Sequence, residues 1–104
     1  MSNFIKIANR KDIPEETGMA IDIEGKSIAL FNISGNFYAI DNICKHRGGP
    51  LGEGSLEGKE VMCPWHGWQY DVTTGECLSS PSICQKKFDV KIEGDDILVD
   101  ASND

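Results

Sequence analysis

The sequence predicts a small all-β protein, in which an antiparallel β base is interrupted by a loop-rich insert. Short apolar, partly β-branched segments alternate with glycine-containing turns toward both ends of the chain. No segment keeps a 3.6-residue apolar period for more than one or two turns. Most glycines and prolines, both histidines and both tryptophans fall within residues 42–82. This insert is therefore the expected place for function, because loops on a rigid sheet often carry the chemistry.

The strands of the base are expected in two groups. Residues 20–24 alternate weakly, residues 27–33 are apolar, and residues 37–40 follow closely. The breaks at 24–26 and 34–36 each contain glycine and are typical of hairpins. Near the other end, residues 88–92 alternate as a half-buried strand, residues 94–96 turn the chain, and residues 97–99 pair back. Residues 10–17 are compatible with a brief helical turn.

Length and charge restrict the classes of function. The 104 residues fit one domain, and the net charge of −7 argues against a general nucleic-acid binder and against docking on anionic lipid. A basic protein partner is compatible with this charge. No apolar run approaches the length of a membrane span, and the first residues lack the apolar stretch of a signal peptide. We therefore expect a cytoplasmic protein, where cysteines are metal ligands or buried thiols rather than disulfides.

Two short motifs in the insert pair a cysteine with a histidine. Cys44 and His46 are spaced C-x-H, and Cys63 and His66 are spaced C-x-x-H. Glycine follows each motif closely, and it suits a tight loop in which the backbone must turn sharply. Thiolate and imidazole groups are ligands for iron and zinc, so the four side chains predict a metal site.

Three interpretations of these four residues remain open at this point. They are unrelated core residues, or they hold a single zinc ion with two cysteines and two histidines, or they hold a dinuclear iron–sulfur cluster. Ordinary zinc fingers pair cysteine with cysteine and histidine with histidine. Here each loop supplies one of each, which favours a cluster with two cysteines on one iron and two histidines on the other.

The motifs resemble those of a known family. CKHRGGPL at 44–51 and CPWHGW at 63–68 closely resemble the two ligand boxes of Rieske [2Fe–2S] proteins. Residues 52–58, 70–75 and 79–82 resemble the linker, the segment after the second box and the proline-containing loop that covers the cluster. The resemblance implies a single Rieske domain over residues 1–104, with a Rieske-type antiparallel β sandwich or barrel base and a cluster-binding subdomain at about 42–82.

The resemblance also implies the ligand set. Cys44 and Cys63 would hold the inner iron of one [2Fe–2S] cluster, and His46 and His66 would hold the outer iron near the surface. Both histidines are then committed, so the chain cannot also hold the mononuclear iron of a terminal oxygenase, which needs two histidines and a carboxylate. We expect an electron-transfer protein and not an enzyme.

The implied role is that of a soluble one-electron carrier of the oxygenase-ferredoxin type. A flavin-dependent ferredoxin reductase would supply the electron, a terminal oxygenase would accept it, and the carrier would be a monomer. Two alternatives remain. The chain could be a tightly bound Rieske small subunit of a larger reductase such as nitrite reductase, or a redox-sensing interaction module.

The chain departs from the high-potential Rieske proteins at three positions. The disulfide of that branch would join positions 49 and 65, which here are Gly49 and Trp65, and Trp68 replaces a serine that donates toward the cluster. Tyr70 keeps the place of a cluster-facing tyrosine. Fewer hydrogen bonds to sulfur predict a potential in the lower part of the Rieske range, below ~0 mV.

The two tryptophans and the two cysteines outside the motifs can be assigned separate expected roles. We expect Trp68 to pack beneath the loops. For Trp65, which is next to a predicted ligand, two alternatives remain: packing beneath the loops or contact with a partner. Cys77 and Cys84 belong to no motif, and we expect both to be free thiols that are buried or half-buried. A disulfide between them is the alternative, which a reducing cytosol disfavours.

Overall fold

The computed structural model describes residues 4–23, 25–44, 49–65, 67–80 and 83–100. These residues form a large antiparallel sheet, a small antiparallel sheet and two single 3₁₀ turns, at Arg10–Asp12 and Leu51–Glu53. The nine strands found there are β1 (Phe4–Asn9), β2 (Thr17–Ile23), β3 (Lys26–Ile33), β4 (Asn36–Asp41), β5 (Ser55–Glu57), β6 (Glu60–Met62), β7 (Gln69–Asp71), β8 (Lys87–Glu93) and β9 (Asp96–Asp100).

The large sheet has six strands in the order β1-β9-β8-β4-β3-β2. Its β3–β4 hairpin turns through Ser34 and Gly35, whose φ angles are 52° and 90°. This left-handed backbone suits glycine and explains the turn predicted at 34–36. The turn predicted at 24–26 includes Glu24, which lies outside the described residues, while β2 and β3 on either side of it pair as expected.

Strand β1 was not located by the sequence pattern. It pairs with β9, and the register shifts between Lys6 and Ala8. Such an irregularity breaks the two-residue alternation by which a half-buried strand is recognised. The five other strands of the large sheet lie where the apolar segments predict them, within three residues at each end.

The small sheet, β5-β6-β7, lies inside the insert and packs against the large sheet. Strand β3 joins the two cores because its alternate residues face opposite sides: Ile28 and Leu30 belong to one cluster, and Ala29 and Phe31 to the other. Burial on both faces accounts for the uninterrupted apolar run at 28–31. The second cluster also contains Cys44 and Cys63, so the packing of the small sheet positions both motifs.

The predicted fold class is confirmed. The described residues form an all-β, antiparallel architecture with a loop-rich insert, and the helical turn expected within residues 10–17 is the 3₁₀ turn that begins after Asn9. The Asn9 side chain caps this turn by accepting a hydrogen bond from the Lys11 amide. Within the described ranges, no helix is long and apolar enough to cross a membrane.

Candidate metal centre

The first cysteine motif follows the end of β4. The Cys44 amide donates to the Gly49 carbonyl at 2.9 Å, and Ile43 pairs with Pro50 in an isolated bridge. Residues on both sides of the loop are therefore held together at its base. Cys44 itself is buried, with 2% of its surface exposed.

Two buried amide side chains fix the backbone that leads to Cys44. Asn42 accepts from the Gly52 amide at 2.6 Å and donates to Ser27 Oγ at 3.0 Å. Gln85 Nε2 donates to the carbonyls of residues 41 and 43, at 2.8 and 2.7 Å. Sequence reasoning missed both residues. The available sequence signal is weak: one uncharged amide lies beside a ligand motif, and the other lies two residues before a half-buried strand.

The second motif follows β6 as a tight turn. The Cys63 amide donates to the Trp68 carbonyl at 2.7 Å, and the Gly67 amide donates to the Cys63 carbonyl at 3.2 Å. Trp68 is half-buried against the core, as expected, while Trp65 is 52% exposed. The turn therefore presents one tryptophan to solvent and packs the other.

The thiols of Cys44 and Cys63 are neighbours. The pKa of Cys63 is raised, first because the thiol is buried and further because the Cys44 thiol interacts with it; the backbone of Trp65 and of Gly49 acts in the opposite direction. The Cys63 thiol also lies 3.4 Å from the Trp65 carbonyl oxygen. Two segments that are distant in sequence thus place the buried thiols of Cys44 and Cys63 next to each other.

Position 49 requires glycine, because its backbone lies close to the side chains of Cys63 and Trp65. A Cβ atom at Gly49 would lie 2.7 Å from Cys63 Sγ and 3.1 Å from Trp65 Cγ. The fold therefore brings positions 49 and 65 together, although neither residue can form the disulfide found there in the high-potential branch. None of the four cysteines, all of which lie within the described residues, forms a disulfide.

Tyr70 lies beneath the pair of thiols. It is fully buried on β7, and its hydroxyl oxygen is 3.3 Å from Cys44 Sγ. Either atom could be the donor of this contact. A hydroxyl can donate to a thiolate, so the Tyr70 hydroxyl lies where the expected donor would have to be.

The structure brings together two of the four predicted site residues. Cys44 and Cys63 meet, whereas His46 and His66 lie outside the described residues, as do Pro81 and Ser82 of the predicted covering loop. No group of three or more histidine, cysteine or carboxylate side chains forms a further metal site in the part of the chain that is described.

The two remaining cysteines differ from each other. Cys77 is buried, as predicted, and it pairs with Tyr70 in an isolated bridge. Cys84 is exposed, so the expectation of a buried or half-buried thiol there is wrong. Cys84 pairs with Glu76, which is also exposed, so its position in the bridge directs it away from the core.

The described donors fit the [2Fe–2S] cluster that the sequence resemblance implies. The donor set is soft, since two neighbouring thiols are available, and thiolates are the ligands that iron–sulfur clusters use. The side-chain-free position 49 leaves room beside Cys63, and the tyrosine hydroxyl faces Cys44. These features are the ones needed at the inner iron of such a cluster.

Comparisons with known proteins agree with this fit. A family model described as the Rieske [2Fe–2S] domain matches residues 3–98. The naphthalene 1,2-dioxygenase ferredoxin component of Pseudomonas aeruginosa is 40% identical over 92 residues, covering 88% of each chain. The ferredoxin of carbazole 1,9a-dioxygenase from Nocardioides aromaticivorans IC177 superposes with a TM-score of 0.86 at 28% identity, covering 94% of this chain and 97% of that one.

One similar structure includes a partner. It is described as a complex of reduced oxygenase and oxidised ferredoxin in carbazole 1,9a-dioxygenase, and it matches with a TM-score of 0.87 at 27% identity over 96% of this chain and 94% of that one. The relatives are named as ferredoxin components, which carry electrons within dioxygenase systems and are not themselves the catalytic enzymes. On the family match, the sequence identity and the shared fold, this chain belongs to the Rieske [2Fe–2S] family.

Proposed function

We propose that this chain is a soluble, cytoplasmic one-electron carrier that receives electrons from a flavin-dependent ferredoxin reductase and delivers them to a terminal oxygenase. The observation that carries the proposal is the buried pair Cys44 and Cys63, with the Tyr70 hydroxyl 3.3 Å from the first sulfur. When bound, the single [2Fe–2S] cluster of this family supplies one-electron redox chemistry. A carrier of this kind needs fixed ligands and access for a partner, and it needs no substrate pocket.

The proposed ligands are Cys44 and Cys63 for the inner iron and His46 and His66 for the outer iron. The adjacency of the two thiols supports the cysteine half of the set. The histidine half rests on the spacing of the two motifs, in which each cysteine is followed by a histidine two or three positions later.

The surrounding side chains have separable tasks. Leu51, Val61 and Tyr70 are fully buried and exclude water from the thiols. Exclusion of water lowers the local dielectric, so hydrogen bonds to the sulfurs act more strongly there. Trp65 is exposed beside Cys63 and offers an apolar, amphipathic contact for a partner.

The overall charge supports a protein partner with a basic docking surface. The chain carries −7, and complementary charge speeds encounter and orients the two proteins. We further propose a monomer with one Rieske domain over residues 1–104 and a cluster-binding subdomain at about 42–82. The location of the small sheet, between Ser55 and Asp71, supports that boundary.

Reconstitution tests the proposal. The purified chain is mixed with a flavin-dependent ferredoxin reductase, NADH and a terminal aromatic-ring oxygenase, and product formation is followed as the carrier concentration rises. We expect saturable turnover that Cys63→Ala abolishes and that the exposed-site control Cys84→Ala retains. No turnover with a range of such oxygenases would contradict the carrier role.

The bound-subunit alternative is separated by gel filtration of extracts from the native host. A carrier elutes at the size of a small monomer. Stable co-elution with a large flavin or haem enzyme would instead assign the chain as a subunit of a larger reductase.

A further inference from the structure

Gln85 lies between the two segments that bring Tyr70 to Cys44. It is 3% exposed and precedes β8. Its side-chain Nε2 donates to the carbonyls of Asp41 and Ile43, at 2.8 and 2.7 Å, and so holds the backbone directly before Cys44.

The main chain of Gln85 holds the segment that follows Tyr70. The Gln85 amide donates to the Gly75 carbonyl at 2.6 Å, and the Gly75 amide donates to the Asp71 carbonyl at 2.7 Å. The approach is close enough that a Cβ atom at Gly75 would collide with the Gln85 carbonyl oxygen. One residue therefore bonds to the backbone directly before Cys44 and to the backbone of the turn that follows Tyr70.

Packing alone does not account for an amide at this position. Both hydrogens of Nε2 are used, but among the described residues Gln85 Oε1 is buried without a hydrogen-bond donor. A methionine of similar shape would fill the same space without burying an unpaired acceptor. What the amide adds is its two donors, and both of them are directed at the backbone next to Cys44.

We propose that Gln85 is a positioning residue that sets the separation of the Tyr70 hydroxyl from the Cys44 sulfur and thereby tunes the redox potential. This inference rests on the proposed role of Cys44 as a ligand. Without the two donors, the carbonyls of residues 41 and 43 lose their partners, the segment before Cys44 shifts, and the hydrogen bond from Tyr70 weakens. A weaker bond to the sulfur stabilises the reduced form less, which lowers the potential.

A double-mutant cycle tests this coupling in the holoprotein. Midpoint potentials and reduced-state EPR spectra are measured for the wild type, Gln85→Met, Tyr70→Phe and the double variant. We expect Gln85→Met to lower the potential and shift the g values, and the double variant to have the potential of Tyr70→Phe alone. The matched control Gln69→Met, at the only other glutamine in the chain, is expected to leave the potential unchanged.

Two outcomes would overturn the proposal. One is a Gln85→Met protein with a lower melting temperature but an unaltered potential and EPR spectrum, which is what a purely structural role produces. The other is strict additivity of the two potential shifts.

Gln85→Asn is the second variant, because it keeps an amide in the core but shortens the side chain by one methylene. We expect it to lower the midpoint potential as Gln85→Met does. A wild type without a Rieske EPR signal would instead refute the ligand set itself, so the two failures are distinguishable.

Discussion

The hydroxyl oxygen of Tyr70 lies 3.3 Å from the sulfur of Cys44, and both side chains are buried. Tyr70 comes from β7 and Cys44 from the loop after β4, so this contact joins the small sheet to the large one. Once Cys44 is a thiolate, only the hydroxyl can donate. The contact therefore links the fold to the electronic properties of the proposed metal centre.

Removing this hydroxyl should lower the redox potential. Tyr70→Phe keeps the ring and its packing but removes one hydrogen bond, worth about 1 kcal/mol. For a one-electron couple, 59 mV corresponds to a tenfold change in equilibrium constant, so the shift should be roughly −40 mV. A redox titration followed by EPR measures it. Tyr38→Phe, at the other tyrosine of the chain, is the control, and equal potentials in Tyr70→Phe and wild type would show that the bond does not tune the centre.

The four cysteines should separate into two classes. Cys44→Ala and Cys63→Ala should each lose the visible absorption of an iron–sulfur cluster and, because metal binding is coupled to folding, much of their stability. Cys84→Ala should retain both, since Cys84 is exposed. Absorption spectra and iron content of the purified proteins test this. An unchanged spectrum in Cys63→Ala would refute the proposed ligand set.

A methyl group at position 49 should disturb the metal centre. Gly49→Ala places a Cβ atom 2.7 Å from Cys63 Sγ, and overpacking of this kind costs about 1–3 kcal/mol. We expect lower cluster occupancy and a lower melting temperature. Gly94→Asn is the matched control, because position 94 faces open space and asparagine tolerates its φ of 63°. Full occupancy and unaltered melting in Gly49→Ala would contradict the close approach.

Asp71 should stabilise the insert in a pH-dependent manner. Burial alone would raise its pKa, but hydrogen bonds from the Thr73 hydroxyl and amide, together with Lys59 at 3.4 Å, bring the pKa below the ordinary 3.8. A lowered pKa means that the carboxylate stabilises the fold above the unfolded-state value, and that this stability is lost as the pH falls through the folded-state value.

Urea denaturation of the wild type and Asp71→Asn checks this dependence. The variant should be less stable by about 1 kcal/mol near neutral pH, and the difference should shrink below about pH 4. Asp89→Asn, at an exposed aspartate on β8, serves as the control and should show a much smaller difference. A difference that stays constant down to about pH 3 would exclude ionisation of Asp71 as its cause.

Trp65 should matter to the partner and not to the fold. It is 52% exposed, so Trp65→Ala should change the free energy of unfolding by no more than about 0.5 kcal/mol. In the reconstituted oxygenase assay, the KM for the carrier should rise while the potential stays the same. Ile92→Ala, which removes a similarly exposed apolar side chain from β8, is the control. Equal KM values for Trp65→Ala and the wild type would remove Trp65 from the docking surface.

The strands of the large sheet could be predicted because each is marked by a pattern within a short stretch of sequence. The alternation at 88–92, the run at 27–33 and the glycine turns each lie within a few residues of sequence, and each predicted strand is present. Strand β1 was not predicted, because its register shift near Ile7 breaks the alternation of buried and exposed residues. The three-residue strands of the insert were expected only as short strand-like pieces, since so few residues carry no reliable period.

The site was predictable only where ligand chemistry restricts the residue type. Cysteine and histidine spacing pointed to the metal centre, and Cys44 and Cys63 do meet. The supporting amides Asn42 and Gln85 were missed, because any hydrogen-bonding side chain with the right reach could hold those carbonyls. The exposure of Cys84 was also missed, because the direction of its side chain depends on an isolated bridge that sequence alone does not reveal.

EPR spectroscopy of the purified protein before and after dithionite, combined with a redox titration, tests the central claim most directly. We predict a reduced-state signal with the low average g value typical of histidine-ligated Rieske clusters, titrating below ~0 mV. A colourless, EPR-silent protein that contains one zinc ion would contradict the account.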